Sequence, residues 1–175
     1  MNHESQDIAV DEFEQLVVFE LSNEHYGVDI SAVNTIIRMQ EITEVPRTPR
    51  FVEGVINLRG SIIPVIDLRK RFGLPAGDTT KASRIVVVEA AGQMIGMVVD
   101  AVAETLRLAC NSIEPPSPVV VSVDSEYLRG IGMQGDRLVI LLDLDKVLSA
   151  KETESLAKAE KRAKRNAQDL AAKAA

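Results

Sequence analysis

The sequence predicts a mainly β protein made of two copies of one strand-rich unit, followed by a C-terminal helix. Three observations carry this prediction. Aromatic residues make up only 3% of the 175 residues (four Phe, two Tyr, no Trp), so the core must be assembled from Val, Ile and Leu, the β-branched members of which favour strands. The chain also repeats itself. Leu16–Val33 aligns without a gap on Ile85–Val102 at an offset of 69, with identities at Val17/Val86, Val18/Val87, Glu20/Glu89, Gly27/Gly96, Ala32/Ala101 and Val33/Val102. Phe51–Phe72 aligns on Tyr127–Leu148 at an offset of 76, with Gly54/Gly130, Asp67/Asp143, Leu68/Leu144 and Lys70/Lys146 identical. Finally, the composition changes near residue 150, beyond which nine residues are alanine.

Taken in order, residues 1–13 are polar and acidic and are expected to form a disordered leader. Residues 14–149 form the folded unit, with subdomain one at about 14–80 and subdomain two at about 81–149. The apolar run Leu16-Val17-Val18-Phe19 predicts a strand, Ser22-Asn23-Glu24 a turn and His25-Tyr26-Gly27-Val28 the returning strand. Gly54–Gly73 reads as two apolar strands joined by a tight turn at Asn57-Leu58-Arg59-Gly60. Pro64 cannot donate a ladder hydrogen bond, which points to an edge strand or a bulge. Asp67 is expected to cap a short helix with Leu68 and Phe72 turned inward, Arg69, Lys70 and Arg71 in water, and Gly73 at the stop. The loop Leu74–Ala82 separates the copies, and Ile113–Pro118 reads as a stiff, polyproline-like connector. Each copy then offers about five short strands, the pattern of a small barrel or sandwich, and neither copy is large enough to bury a generous core alone.

Residues 150–175 form the helical extension. Ser149 and Glu152 have capping-box spacing, and Leu156, Ala159, Ala163, Ala167 and Leu170 make a weak apolar stripe. Seven Lys/Arg against four Asp/Glu give this segment +3 within a chain of −6, which leaves −9 on the rest. A solvated helix partly docked on the body fits better than a membrane-surface helix, which needs larger apolar residues.

The residue inventory argues against several functions. The negative net charge argues against nucleic acid as a partner. Cys110 is the only cysteine, so no disulfide forms within the chain; it reads as a small half-buried hydrophobe in a reducing, cytoplasmic compartment. No apolar run reaches 18 residues, so no helical membrane insertion is expected. His3 and His25, with one Cys, make no recognisable zinc site, and no phosphate-binding glycine motif precedes a helix. Gly130-Ile-Gly132-Met-Gln-Gly135 has dinucleotide-fingerprint spacing but lies between strands. Asp100 and Glu104 lack a third partner. No catalysis, metal or cofactor is expected.

With these segments in view, the chain resembles the CheW family of bacterial chemotaxis coupling proteins from Phe13 to Leu148. The resemblance rests on Tyr26-Gly27-Val28-Asp29-Ile30, Thr48-Pro49-Arg50-Phe51-Val52-Glu53-Gly54, Asn57-Leu58-Arg59-Gly60 and Asp67-Leu68-Arg69, together with Gly96-Met97-Val98-Val99-Asp100 and Tyr127-Leu128-Arg129-Gly130. It implies two intertwined five-stranded SH3-like β-barrels sharing a hydrophobic core. It also implies a non-enzymatic scaffold that bridges the cytoplasmic tips of chemoreceptors to the regulatory domain of the histidine kinase CheA, beside other CheW copies in array rings. The protein would then be cytoplasmic and recruited to membrane-associated arrays. A coupler of a parallel pathway controlling pili or a second messenger belongs to the same family. A small β-barrel enzyme or ligand-binding protein is the reading from another class.

The resemblance implies receptor contacts at Val33, Thr35, Asn57, Arg59 and Thr105, and kinase contacts at Ile113, Glu114, Pro116 and Val119. Plain core packing for Val33 and a solvated turn for Arg59 are the competing readings. Many family members carry glutamate where this chain has Thr35, and Glu114 and Val119 stand where members can be basic and aromatic. The distinctive part of the first copy is the Asn57–Gly60 turn, which the second copy lacks, and the binding function is expected there.

Overall fold

A computed structural model describes residues 12–116 and 123–174. The first copy supplies β1 (Phe13–Leu21), β2 (Glu24–Asp29), β3 (Val33–Arg38), β4 (Val52–Leu58), β5 (Ser61–Asp67) and helix α1 (Leu68–Phe72). The second supplies β6 (Arg84–Ala90), β7 (Gln93–Val99), β8 (Ala101–Ala109), β9 (Leu128–Gln134), β10 (Arg137–Leu142) and α2 (Leu144–Val147). Helix α3 (Ala150–Ala174) follows. The fold is the expected mainly β one. Both repeat offsets hold in three dimensions: β4 shifted by 76 residues is β9, residue for residue.

The strands form two five-stranded sheets, ordered β8-β1-β2-β10-β9 and β3-β6-β7-β5-β4. Replacing every strand by its repeat twin converts one order into the other, so the sheets are related by internal symmetry. Each sheet takes a hairpin from one copy (β1–β2 or β6–β7) and three strands from the other. The hairpin joins the borrowed strands through a short parallel ladder, Val139–Leu141 against His25–Gly27 and Val65–Asp67 against Gly96–Val98. Separation in sequence at residues 74–82 is thus not separation in space.

This exchange explains why the hairpin strands are apolar without alternation. On β1, Leu16 and Val18 face the small core of their own sheet, with Leu106, Leu108, Val139 and Leu141. Val17, Phe19 and Leu21 face the core shared with the other sheet. The twin strand β6 divides in the same way, Ile85 and Val87 turning to its own sheet and Val86 and Val88 to the shared core. A strand buried on both faces has no polar face to alternate with. Aromatic rings run through the shared core as a column, Phe19–Tyr26–Phe72–Tyr127, with centroid separations of 6.1, 6.2 and 5.4 Å.

Each sheet curls until the chain leaving one edge reaches the other edge. Beyond β3, Thr43 exchanges two 2.9 Å backbone hydrogen bonds with Val55 of β4; beyond β8, Glu114 exchanges two of 2.8 Å with Ile131 of β9. These bridges account for the twinned Gly54/Gly130. A Cβ at Gly54 would stand 2.1 Å from the Thr43 carbonyl oxygen, and one at Gly130 would stand 2.8 Å from that of Glu114.

Two expectations are corrected. Pro64 is on no edge, because β5 lies between β4 and β7. Nor is it at the ladder's irregularity, which falls at Val52/Gly54. Its missing N–H costs nothing here: Val55 opposite it spends both backbone groups on Thr43, and the parallel ladder to β7 begins one residue later, at Val65. Arg69 and Arg71 are not in water either. They are half-buried because α1 lies at the junction of the two copies, where its polar face meets protein. Arg69 grips Asp100 through two hydrogen bonds, 2.8 Å from Nε and 2.5 Å from Nη2, and donates to the Pro75 carbonyl. Arg71 lies over the rings of Phe51 (4.7 Å) and Tyr127 (4.9 Å) and donates to the Val147 carbonyl (2.6 Å) and Glu152 (2.9 Å). Lys70 alone is exposed, paired with Glu53.

The expected helix signals are met. Asp67 and Asp143 accept backbone N–H bonds at the starts of α1 and α2, and Gly73 ends α1 with φ of 69°. Its repeat counterpart is Ser149, which instead starts α3. The Ser149 hydroxyl accepts from the Glu152 N–H (3.1 Å) while Glu152 accepts from the Ser149 N–H (2.8 Å). Leu156 and Ala159 are buried, seating the first turns of α3 on the body.

Gly54→Ala should destabilise the fold by about 2–4 kcal/mol through backbone collision and strain, against about 1 kcal/mol for Gly60→Ala, where a Cβ meets nothing within 4 Å. Chemical denaturation of both variants checks this. Arg71→Ala should cost about 2–4 kcal/mol, since it removes two ring contacts and leaves half-buried Glu152 without its cation, with only the Ser149 N–H still bonded to it. Burial pushes the Asp100 carboxyl upward, but hydrogen bonds from Arg69 and the Ser22 N–H, together with the Arg69 charge, hold it below the usual carboxylate range. A lowered folded-state pKa stabilises above the unfolded value of about 4 and is lost as pH falls through the folded one. Asp100→Asn should therefore lower the melting temperature at pH 7, with the difference from wild type closing below about pH 4.

Candidate functional site

The β4–β5 hairpin carries the site. Leu58 pairs with Ser61, so the loop is two residues, Arg59 and Gly60, with φ of 53° and 86°. Left-handed values at both positions define a turn whose twist matches the flanking strands, and it normally carries Asn-Gly or Gly-Gly. The Asn57 side-chain oxygen accepts from the Gly60 N–H (2.9 Å), locking the turn, while Gln40 donates to the Asn57 carbonyl (3.3 Å). Behind the tip, Ile56 and Ile63 are buried in the small core of this sheet, so the exposed turn stands on a rigid base.

Arg59 occupies a backbone conformation that disfavours it, by about 1 kcal/mol or more. The repeat twin of Arg59 is Gly135, with φ of 60°. The second copy places glycine at this position, followed by Asp136 without a positive φ, whereas the first keeps an exposed guanidinium there. The repeat alignment could reveal the pairing of Arg59 with Gly135, but only the backbone angles give it meaning.

Thr35 joins Arg59 around one open cavity of about 430 Å³, together with Asn34, Leu58 and Met94. Asn57 lines a neighbouring cavity of about 340 Å³. Val33 is half-buried against the shared core, while Thr105 is exposed on β8 of the other sheet, paired with Val17. The structure thus gathers Thr35, Asn57 and Arg59 on one sheet and leaves Thr105 on the other. Of the second group, Ile113 packs on the Leu16 cluster, Glu114 spends its backbone on the bridge to Ile131 with its side chain outside, and Pro116 is half-buried. Val119 lies outside the described residues. Sequence reasoning missed that α3 lines both cavities, through Glu160 and Lys164 in one and Arg162, Ala163, Asn166 and Ala167 in the other.

Displaced pKa values occur in structural pairs away from this surface. The Tyr26 phenol is raised by burial and by its 2.8 Å hydrogen bond to Glu24. Asp67 is raised by burial, against the N–H groups it caps. Among the described residues there is no group of three or more His, Cys, Asp or Glu side chains placed to hold a metal, and no helix long and apolar enough to cross a membrane. The arrangement offers an exposed cation and apolar flanks on a turn locked by Asn57. That is equipment for docking.

The comparisons with known proteins agree with this geometry. The family described as "CheW-like domain" matches residues 15–152. The chain is 37% identical over 139 residues to the chemotaxis protein CheW of Klebsiella aerogenes, covering 79% of this chain and 84% of that protein. It is 35% identical over 163 residues to the chemotaxis protein CheW of Treponema pallidum, covering 90% and 95%. The crystal structure of the scaffolding protein TtCheW from Thermoanaerobacter tengcongensis superposes with a TM-score of 0.74 at 44% identity, over 81% of this chain and 91% of that one. Repeat, strand exchange and family match converge: the chain belongs to the CheW-like domain family.

Proposed function

We propose that this chain is a non-enzymatic adaptor of bacterial chemotaxis signalling, coupling chemoreceptors to the histidine kinase CheA within receptor arrays. The observation that carries the reading is the hairpin tip: an arginine kept in a left-handed conformation that its repeat twin gives to glycine. Left-handed backbone alone does not distinguish Arg59, since Ser22 and Ala91 take the same place in the β1–β2 and β6–β7 hairpins. What distinguishes it is a guanidinium at an exposed tip, and arginine is enriched in interface hot spots. The receptor-docking surface comprises Thr35, Asn57 and Arg59, with Val33 behind it through the core and Thr105 as an outlying contact. The kinase face follows β8, through Ile113, Glu114, Pro116 and Val119. Its bridge to Ile131 ties that segment to β9. The chain acts in the cytoplasm at membrane-associated arrays, beside other copies of itself.

Reconstitution of a chemoreceptor fragment, CheA and this chain tests the reading. Receptor control of kinase phosphorylation should appear only when the chain is present; equal control without it overturns the coupling role. Arg59→Ala should weaken receptor binding by about tenfold with the melting temperature nearly unchanged, because alanine suffers the same left-handed strain. Arg59→Asn should lose binding equally while raising stability by about 0.5–1 kcal/mol, asparagine being at home in such turns. A large stability loss in either variant assigns Arg59 to the scaffold instead.

A further inference from the structure

Helix α3 has two unlike halves. The first is anchored: the capping box closes its start, Glu152 pairs with Arg71, and Leu156 and Ala159 are buried. The second half extends along the β4–β5 hairpin, and α3 packs chiefly on β5. Its hold there is weak. Arg162 donates to the Pro46 carbonyl at 3.4 Å, while Lys164 through Asp169 are exposed. The residues turned to the hairpin, Ala163 and Ala167, are one turn apart and too small to fill the space before Val45, Pro46 and Ile62. A cavity of about 340 Å³ remains between helix and sheet, lined mostly by apolar surface. The same half-helix borders the surface proposed for docking, with Asn57 lining this cavity and Lys164 and Glu160 lining the one shared by Thr35 and Arg59.

We infer that residues Lys161–Ala174 are a displaceable cover over the docking hairpin, held in place by the anchored first half of α3 and removed when the partner binds. The inference rests on the proposed receptor role of Thr35, Asn57 and Arg59. Tethering explains how so poor a contact persists, because the anchored half keeps the second at high effective concentration. Poor packing explains why it can leave: a loosely filled contact forgoes dispersion attraction, and a partner helix with branched apolar residues at these two positions would recover it. The tip itself stays exposed, so the cover acts on the apolar flank at Val45, Pro46 and Ile62, and apparent affinity falls in proportion to the fraction of time that flank is free.

The experiment is calorimetric titration of a chemoreceptor cytoplasmic fragment into the full chain, a chain truncated after Glu160, and the A163L/A167L variant, with amide hydrogen exchange of the full chain free and bound. The truncated chain should bind about tenfold tighter. A163L/A167L, which fills the cavity, should bind several-fold weaker and melt higher. Exchange across Arg162–Asp169 should speed up on binding. Truncation that leaves affinity unchanged or reduced, or protection of Arg162–Asp169 in the complex, overturns the cover and makes α3 neutral or part of the interface, with the docking role intact. Absence of binding by both the full and the truncated chain overturns the docking role itself, and the cover with it.

Discussion

The structure depends on one constraint: the hairpins β1–β2 and β6–β7 must bury both of their faces. Each hairpin gives one face to the small core of the sheet it joins and the other to the core between the sheets. Neither repeat unit could do this alone, because a five-stranded unit of this size encloses one small core and leaves its other face wet. Exchange of hairpins solves the problem for both copies at once. It also makes the domain indivisible, since each sheet takes strands from both halves of the chain.

The junctions between the copies carry the polar chemistry. Arg69 and Arg71 both leave α1, yet they tie it to opposite parts of the molecule. Arg69 reaches Asp100, which in turn accepts from Ser22 at the β1–β2 turn. Arg71 reaches Val147 and Glu152, joining both short helices to the start of α3. Its guanidinium sits between two rings that α1 does not own, so one charged side chain extends the aromatic column of the shared core. A protein with so few aromatic rings uses nearly all of them here. The base of the β4–β5 hairpin belongs to this assembly, and the C-terminal helix reaches the hairpin because Arg71 fixes where that helix begins.

The internal symmetry separates the scaffold both copies share from what each copy has of its own. Features present in both copies, such as the edge bridges with Gly54 and Gly130 or the caps at Asp67 and Asp143, hold the fold together. Features in one copy only are where the halves have specialised. Arg59 against Gly135 is one such difference. Gly73 against Ser149 is another: one copy stops its short helix, and the other starts a long one that returns across the first copy's hairpin.

Local pattern and repetition were enough to determine much of this protein. Strand positions, a tight turn within Asn57–Gly60, the caps and the duplication all follow from residue order, because they depend on neighbours in the chain or on an alignment of the chain with itself. That the loop is only Arg59 and Gly60 follows from the ladder register. Tertiary structure alone decided which hairpin joins which sheet, for β-branched runs from either copy are equally good partners in a ladder. It decided that Pro64 lies inside a sheet, since only the partner strand's hydrogen bonds reveal whether a missing N–H is needed. It also withdrew Arg69 and Arg71 from water and set α3 beside Asn57 and Arg59. Charge and helical periodicity place a side chain on a face, but what that face meets is decided by contacts between residues distant in sequence, which no local pattern encodes.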